Sequence, residues 1–393
     1  MRQKLFFCSV IMFVMFNLMA LNEFEVIFIT INPSATSVSF GNQSGTADIW
    51  NRNPLDVWSN PAKLGYHKGI SFGYSNDKWF DDVPGIDDIT IKSSYVSYGW
   101  NGIGIMVPMM NSFVNFGTTL DYGEQEQTNE NGEDLGTFNS FESCSEFAVG
   151  INILEFIEYK NKGNLPDDLS AFRGIAELSL GYNYSYIYSD LEPTYIVESH
   201  KTNYQIGKSH FHGFGMIQSF SPLYGSDIKQ IKLGFTVGVY WLNYTRTNIS
   251  HIKARLADPV PYGTRTAISG KVSVDMAEYL KIMNLNSDTI ESITSFSKKL
   301  FSFYASYDRE KLGNNAHDFG YGYEVAFFDI ISLRQGKYTD KDGRIEGNTK
   351  GYGINLRYKD IVHLQYNYVE FPGGELQAVQ DKSDFMINLN LIN

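Results

Sequence analysis

Apolar and polar side chains alternate along most of this chain, most cleanly from Gly351 onward. Tyr352, Ile354, Leu356 and Tyr358 fall on one face, opposite Gly351, Gly353, Asn355 and Arg357. Leu364, Tyr366 and Tyr368 oppose His363, Gln365 and Asn367, and Phe385, Ile387, Leu389 and Leu391 oppose Asn388 and Asn390. Successive strand residues point to opposite faces, so each segment reads as a strand with one apolar side. The pattern recurs upstream from Ile103 to Val107, Phe147 to Ile153, Leu178 to Tyr188, Leu233 to Trp241 and Phe319 to Phe327. Counting such segments gives about 14 strands, the weak, repeated signature of a membrane barrel.

The second face of these strands decides between two architectures. A soluble sandwich exposes Lys, Glu and Thr there, whereas Gly, Ser and Asn dominate here. A small, neutral face suits the crowded or solvated interior of a barrel. The expected fold is therefore all-β, a transmembrane antiparallel β-barrel whose final strand pairs with its first. Two stretches break the pattern with helical spacing: roughly 155–170, interrupted at Pro166 and Asp167, and 275–298, where Met276, Tyr279, Leu280 and Met283 share a face. A lipid-facing wall cannot contain them, so they are expected in loops. Tyr358-Lys359-Asp360-Ile361 reads as a tight turn and 123–138 as a long acidic loop, which predicts short turns on one rim and long loops on the other.

Composition agrees. Tyr and Phe number 26 and 28, residues that suit strands and interfacial girdles. Mean hydropathy is -0.24, which excludes a polytopic helical membrane protein. The net charge of -12 argues against nucleic acid as a partner. Arg2 and Lys4 precede an apolar run from Leu5 to Leu21, which reads as a signal peptide over 1–21, with a single spanning anchor as the alternative. Cys144 is then the one cysteine of a processed chain, so no disulfide framework or zinc knuckle is available.

Between that signal and the first strand lies Asp48, then an amphipathic Ile49, Leu55, Val57, Trp58 stretch, then Asn60-Pro61-Ala62-Lys63-Leu64. Pro61 fixes the backbone and Asn60 can bond neighbouring backbone groups, so a short helix and a turn are expected. This entry resembles that of the PorV/PorQ family of outer-membrane barrels, relatives of the FadL fatty-acid transporters. The end of the chain is similar to the same family: Tyr323-Glu324, Leu333-Arg334-Gln335-Gly336, Gly351-Tyr352-Gly353, and Phe371-Pro372-Gly373-Gly374 before the last strand. Trp50-Asn51-Arg52 and Trp58 depart from that family's small-residue entry, and Asn393 from its aromatic last residue. The resemblance implies a hatch over 22–65, carried by Asp48, Asn60, Pro61, Ala62 and Leu64, inside a barrel over 66–393. It also implies a place in the bacterial outer membrane, surrounded by lipid. The implied functions are passage of small hydrophobic molecules or an accessory role in type IX protein secretion. A soluble exported β-protein is the remaining alternative.

Glu324, Arg334 and Arg357 oppose apolar faces and are luminal candidates, expected to pair with one another or to meet a solute. His210 and His212 share a face but lack further ligands, and Asp340-Lys341-Asp342-Gly343 lacks the later Glu of a calcium loop, so no metal is assigned. The acidic stretch Glu124, Glu126, Glu130, Glu133 and Asp134 reads as solvated. Ser209-His210 and Asn315 with His317-Asp318 hold hydrolase residue types at no diagnostic spacing. With neither a nucleophile elbow nor a phosphate loop, no enzyme and no cofactor are expected.

Overall fold

The computed structural model describes residues 27–390 apart from 42–44, 79–88, 112–114, 129–133, 171, 191–194, 198–199, 203–205, 227, 252–257, 314, 316, 341–344 and 373–378. The signal-peptide reading over 1–21 and the last-strand residue Leu391 lie outside the described residues. A 3-10 turn (Ile27–Thr30), a short helix α1 (Ala35–Ser39) and two more 3-10 turns (Pro54–Ser59 and Pro61–Tyr66) precede the strands.

The first wall strands are β1 (Gly69–Lys78), β2 (Thr90–Trp100), β3 in two parts (Ile103–Pro108 and Gly117–Thr128) and β4 (Asp134–Asn152). After α2 (Ile153–Lys160) and α3 (Asp167–Ser170) come β5 (Ala176–Asp190), β6 (Ile206–Phe220), β7 (Ile231–Leu242) and β8 (Gly263–Asp275). Helices α4 (Met276–Ile282) and α5 (Ser287–Thr294) then lead into β9 (Lys299–Leu312), β10 (Asp318–Phe327), β11 (Ile331–Asp340) and β12 (Ile345–Tyr358). The wall ends with β13 (Val362–Pro372) and β14 (Val379–Leu389). Each strand pairs antiparallel with the next, and β14 closes on β1 from Ile70–Leu389 to Ser75–Asp384. The result is a closed barrel with 14 wall positions and no free edge.

The apolar faces read from sequence point outward. Ile105, Phe147, Phe235, Ile268, Leu333 and Leu356 are all exposed on the wall, the face a bilayer covers. An aqueous exterior would leave that whole band wet, so the soluble alternative does not fit this wall. The opposite face is buried although it is rich in Ser, Gly and Asn, because the chain's own N-terminal segment fills the lumen. A side-chain carbon on Gly150 would come within 2.7 Å of the Pro61 carbonyl oxygen, and one on Gly322 within 2.7 Å of Phe40 Cα. Gly181 faces the Ala62 backbone and Gly238 the Thr46 carbonyl just as closely. The small inner face is therefore a negative imprint of the plug.

Two expectations about the rims need correction. The rim with the tight connections at 101–102, 328–330 and 359–361 also bears the helical inserts α2–α3 and α4–α5. The stretch 123–138 is not a long loop: β3 and β4 pair through it, with Glu124 opposite Asn139, Glu126 opposite Thr137 and Thr128 opposite Asp134. Beyond the bilayer both faces of a hairpin meet water, so no alternation marks it as strand. The 123–138 hairpin and the 275–298 insert thus sit on opposite rims, called here the loop rim and the turn rim.

Position β3 has a local interruption. Tyr95 pairs with Pro108 and Ser94 with Gly117, so the described residues between Pro108 and Gly117 fall outside the β2 register while the wall stays continuous behind them. The excursion is pinned by the Asn111 side-chain amide, which donates to the carbonyls of Lys92 and Gly117, and it exposes Met110 and Phe116 outward.

Replacing Gly181 by Val should unseat the plug while leaving the wall intact. The expected readout is folded migration on an unheated gel together with new trypsin cleavage at Arg52 or Lys63, sites shielded in the native chain.

Candidate functional site

Three groups of contacts hold the plug. The first centres on Asn60, which caps the Pro61–Tyr66 turn by accepting from the Ala62 N–H at 3.0 Å. Its amide group donates to the carbonyls of Thr46 at 2.9 Å, Val239 at 3.2 Å and Met216 at 3.3 Å, joining plug to β6 and β7. Pro61 sits at the first position of that turn, Ala62 and Leu64 are fully buried against the wall, and the Ala62 carbonyl accepts from Ser179 Oγ. Asp48 is also buried and accepts from the Trp50 N–H. All five residues of the entry motif thus lie inside the lumen, four of them in one turn and Asp48 apart from it.

The second group was not visible in sequence. Arg265 on β8 is 2% exposed, bonds Glu310 on β9 at 2.5 Å, lies 3.7 Å over the Trp58 ring and donates to the Trp58 carbonyl. Trp58 in turn donates through Nε1 to the Ile29 carbonyl. A buried arginine stacked on a ring and paired with a carboxylate needs every one of those partners. The third group reaches α1 and the residues before it. Asp384 accepts from the Ala35 N–H at 2.8 Å, Lys382 Nζ donates to the Asn32 carbonyl at 2.8 Å, and Ser37 Oγ donates to Asp56 at 2.8 Å.

The plug leaves two contrasting compartments. Towards the loop rim, the lumen-facing Ile91, Leu120, Ile187, Phe211 and Leu242 form an apolar cluster, occupied by Phe28 and Ile29 of the plug. Only about 10 Å³ of free space remains there, bounded also by Tyr95, Thr118 and Cys144 next to the β3 interruption and, as its one carboxylic acid, by the buried Glu146. Towards the turn rim lies a polar cavity of about 80 Å³ lined by Glu324, Arg334 and Arg357, with Asp48 of the plug. Glu324 and Arg334 are cross-strand partners bonded at 2.8 Å, and Arg334 also donates to Asn367. Arg357 lines the same cavity but makes no ion pair among the described residues.

No protein-family model and no curated protein sequence matches the chain. Among solved structures it is similar to the CymD monoaromatic hydrocarbon channel, at 8% identity over 94% of this chain and 100% of that chain, with a TM-score of 0.44. It is also similar to the Pseudomonas putida toluene transporter TodX, at 8% identity over 92% of this chain and 100% of that chain, TM-score 0.44. A Rh. blastica porin variant follows at 10% identity over 82% of this chain and 99% of that chain, TM-score 0.28. The barrel is established by its own closed ladder, and these likenesses add nothing about its chemistry.

The remaining sequence candidates separate. His210 and His212 face outward among Tyr182, Tyr184 and Tyr244, with Tyr182 Oη bonded to His212 Nδ1 at 2.5 Å. Among the described residues no cluster of three metal-ligating side chains exists. Ser209 points inward and donates to the Asn248 carbonyl, so it lies across the wall from its neighbour His210.

Two substitutions test the plug's anchors. Asn60→Asp places an acceptor-only carboxylate against three carbonyl oxygens. It should expose the segment to protease far more than Asn60→Ala, which removes the donor and the cap acceptor but sets no negative charge against the carbonyls. Arg265→Met should lower the unfolding free energy in detergent by about 3–5 kcal/mol, because Glu310 stays buried and unpaired. The double variant Arg265→Met, Glu310→Leu should recover most of that loss, and a denaturant titration of all three chains checks it.

Proposed function

We propose that this chain is an outer-membrane barrel, FadL-like in kind, that passes small hydrophobic molecules across or into the membrane. The observation that carries the reading is the apolar lining of the loop-rim compartment. Interior positions of a barrel that conducts water and ions are polar, yet here Ile91, Leu120, Ile187, Phe211 and Leu242 turn inward. Phe28 and Ile29 fill the space as an apolar solute would, so the plug acts as a hatch whose first turn yields to the solute.

The turn-rim cavity is polar and charged, which makes axial passage of a hydrocarbon costly. An exit through the wall avoids that cost; it requires the ladder, continuous in this structure, to part beside the β3 excursion, where Tyr95 and Thr118 border both the apolar compartment and the excursion. In this reading Asn60, Pro61, Ala62 and Leu64 form the fixed part of the hatch, and the segment before α1 is the movable part. On the same reading the turn rim faces the periplasm, in keeping with its short connections. The PorV/PorQ resemblance belongs with this proposal as a matter of descent, and no contact surface in the described residues favours the secretion-subunit role.

The test is uptake of a radiolabelled small aromatic hydrocarbon by vesicles holding the purified chain. Uptake should exceed that of empty vesicles and fall at least about tenfold for Ile187→Asn, whose amide is left unpaired in an apolar compartment. Deleting residues 109–116, which joins Pro108 to Gly117 in register, should reduce uptake while sparing solute binding. Equal uptake by empty vesicles would remove the proposal.

A further inference from the structure

The turn-rim cavity holds more positive charge than its own carboxylates neutralise. Arg334 is taken up by Glu324 at 2.8 Å and Lys299 by Asp329 at 3.6 Å. Lys271 and Arg357 line the same space, and among the described residues neither has a carboxylate within ion-pair distance. Lys271 rests 5.9 Å from the Trp50 ring centroid, a contact that leaves its ammonium without a counter-charge. Arg52 of the plug is not part of the lining but is near enough to feel the charge of Arg357. Burial, and then the like charge of Arg357, hold the Arg52 guanidinium below its ordinary pKa, with Asp360 and Glu155 opposing them more weakly. The one further acid of the lining, Asp48, is buried and already bonded to the Trp50 N–H.

The lining also carries unused hydrogen-bonding atoms. The donors Asn51 Nδ2 and Thr36 Oγ1 are buried without a partner, and Thr36 is only 3% exposed. A buried donor left unmade costs free energy, and so does a pair of like charges in a confined space. One small oxyanion relieves both, since it accepts from ammonium, guanidinium and amide N–H groups together. The cavity's volume of about 80 Å³ admits such a group.

We propose that the turn-rim cavity is a binding site for a small oxyanion, a carboxylate or phosphate, held by Lys271 and Arg357 with the Asn51 amide. The proposal is independent of the hydrocarbon reading, because the plug stands between this cavity and the apolar compartment. Its occupant comes either from solution as a free anion or as the acidic group of a small aromatic molecule.

Isothermal titration of the detergent-solubilised full chain tests it with three probes: inorganic phosphate, benzoate and toluene. Saturable heat with phosphate assigns a free-anion site, and saturable heat with benzoate but not phosphate or toluene assigns a carboxylate carried on a ring. Either signal should weaken about tenfold or more in Lys271→Gln and in Arg357→Gln, the loss of one charge-assisted hydrogen bond. It should persist in Lys298→Gln, outside the cavity. Unheated gel migration confirms that each variant is folded. No saturable heat with either anion, or heat unchanged in both variants, overturns the assignment whatever the vesicle uptake shows.

Discussion

The close approach of the plug's backbone to the inner wall is the constraint on which this structure depends. A barrel with 14 wall positions has a lumen too wide for its own side chains to fill. Here the space is taken by the described residues of 27–68, and the wall gives way to them by carrying hydrogen or a hydroxymethyl group at the points of contact. Gly150, Gly181, Gly238 and Gly322 each face plug backbone at a distance that excludes a side-chain carbon. Backbone brought so near needs its polar groups satisfied. Asn60, Ser179, Thr236 and Thr349 supply those bonds from plug and wall.

That packing divides the lumen by polarity. Towards the loop rim the inward positions become Ile, Leu and Phe, and the plug answers with Phe28 and Ile29. Towards the turn rim they become Lys, Glu, Arg and Gln around a polar cavity. The helical insert α4–α5 belongs to this end. The Ser295 carbonyl accepts from the Lys359 N–H, and Lys298 bonds Asp360 in the β12–β13 turn. The hydrogen bond from Lys298 holds the Asp360 carboxyl below its ordinary pKa, so the insert is fastened to the rim by a charge pair that persists at neutral pH. An apolar solute and an anion would each find one compartment congenial and the other hostile.

How much of this was legible beforehand follows from what each residue type must do. Outward Tyr352, Ile354 and Leu356 had to be apolar because they face lipid, so their period of two showed in the sequence. The helical inserts showed for the same kind of reason, since Met276 and Leu280 bury one face. The β3–β4 hairpin did not, because past the bilayer nothing forces Glu124, Glu126 and Thr137 to alternate. Arg265 gave no signal either: a single arginine in an alternating strand looks like any luminal charge until Trp58 and Glu310 meet it. Glu324 and Arg334 could be marked as luminal by period alone, but their pairing required the β10–β11 register.

The sequence by itself determined that this chain is a barrel wall with a small inner face and a structured entry around Asn60-Pro61-Ala62. It could do so because strand period and turn chemistry are local properties. Only the tertiary structure decided why that inner face is small, which cations lack partners, and where the apolar compartment lies. Those depend on residues far apart in sequence, Gly181 against Ala62 or Lys271 beside Arg357, and closure of the barrel is what brings them together.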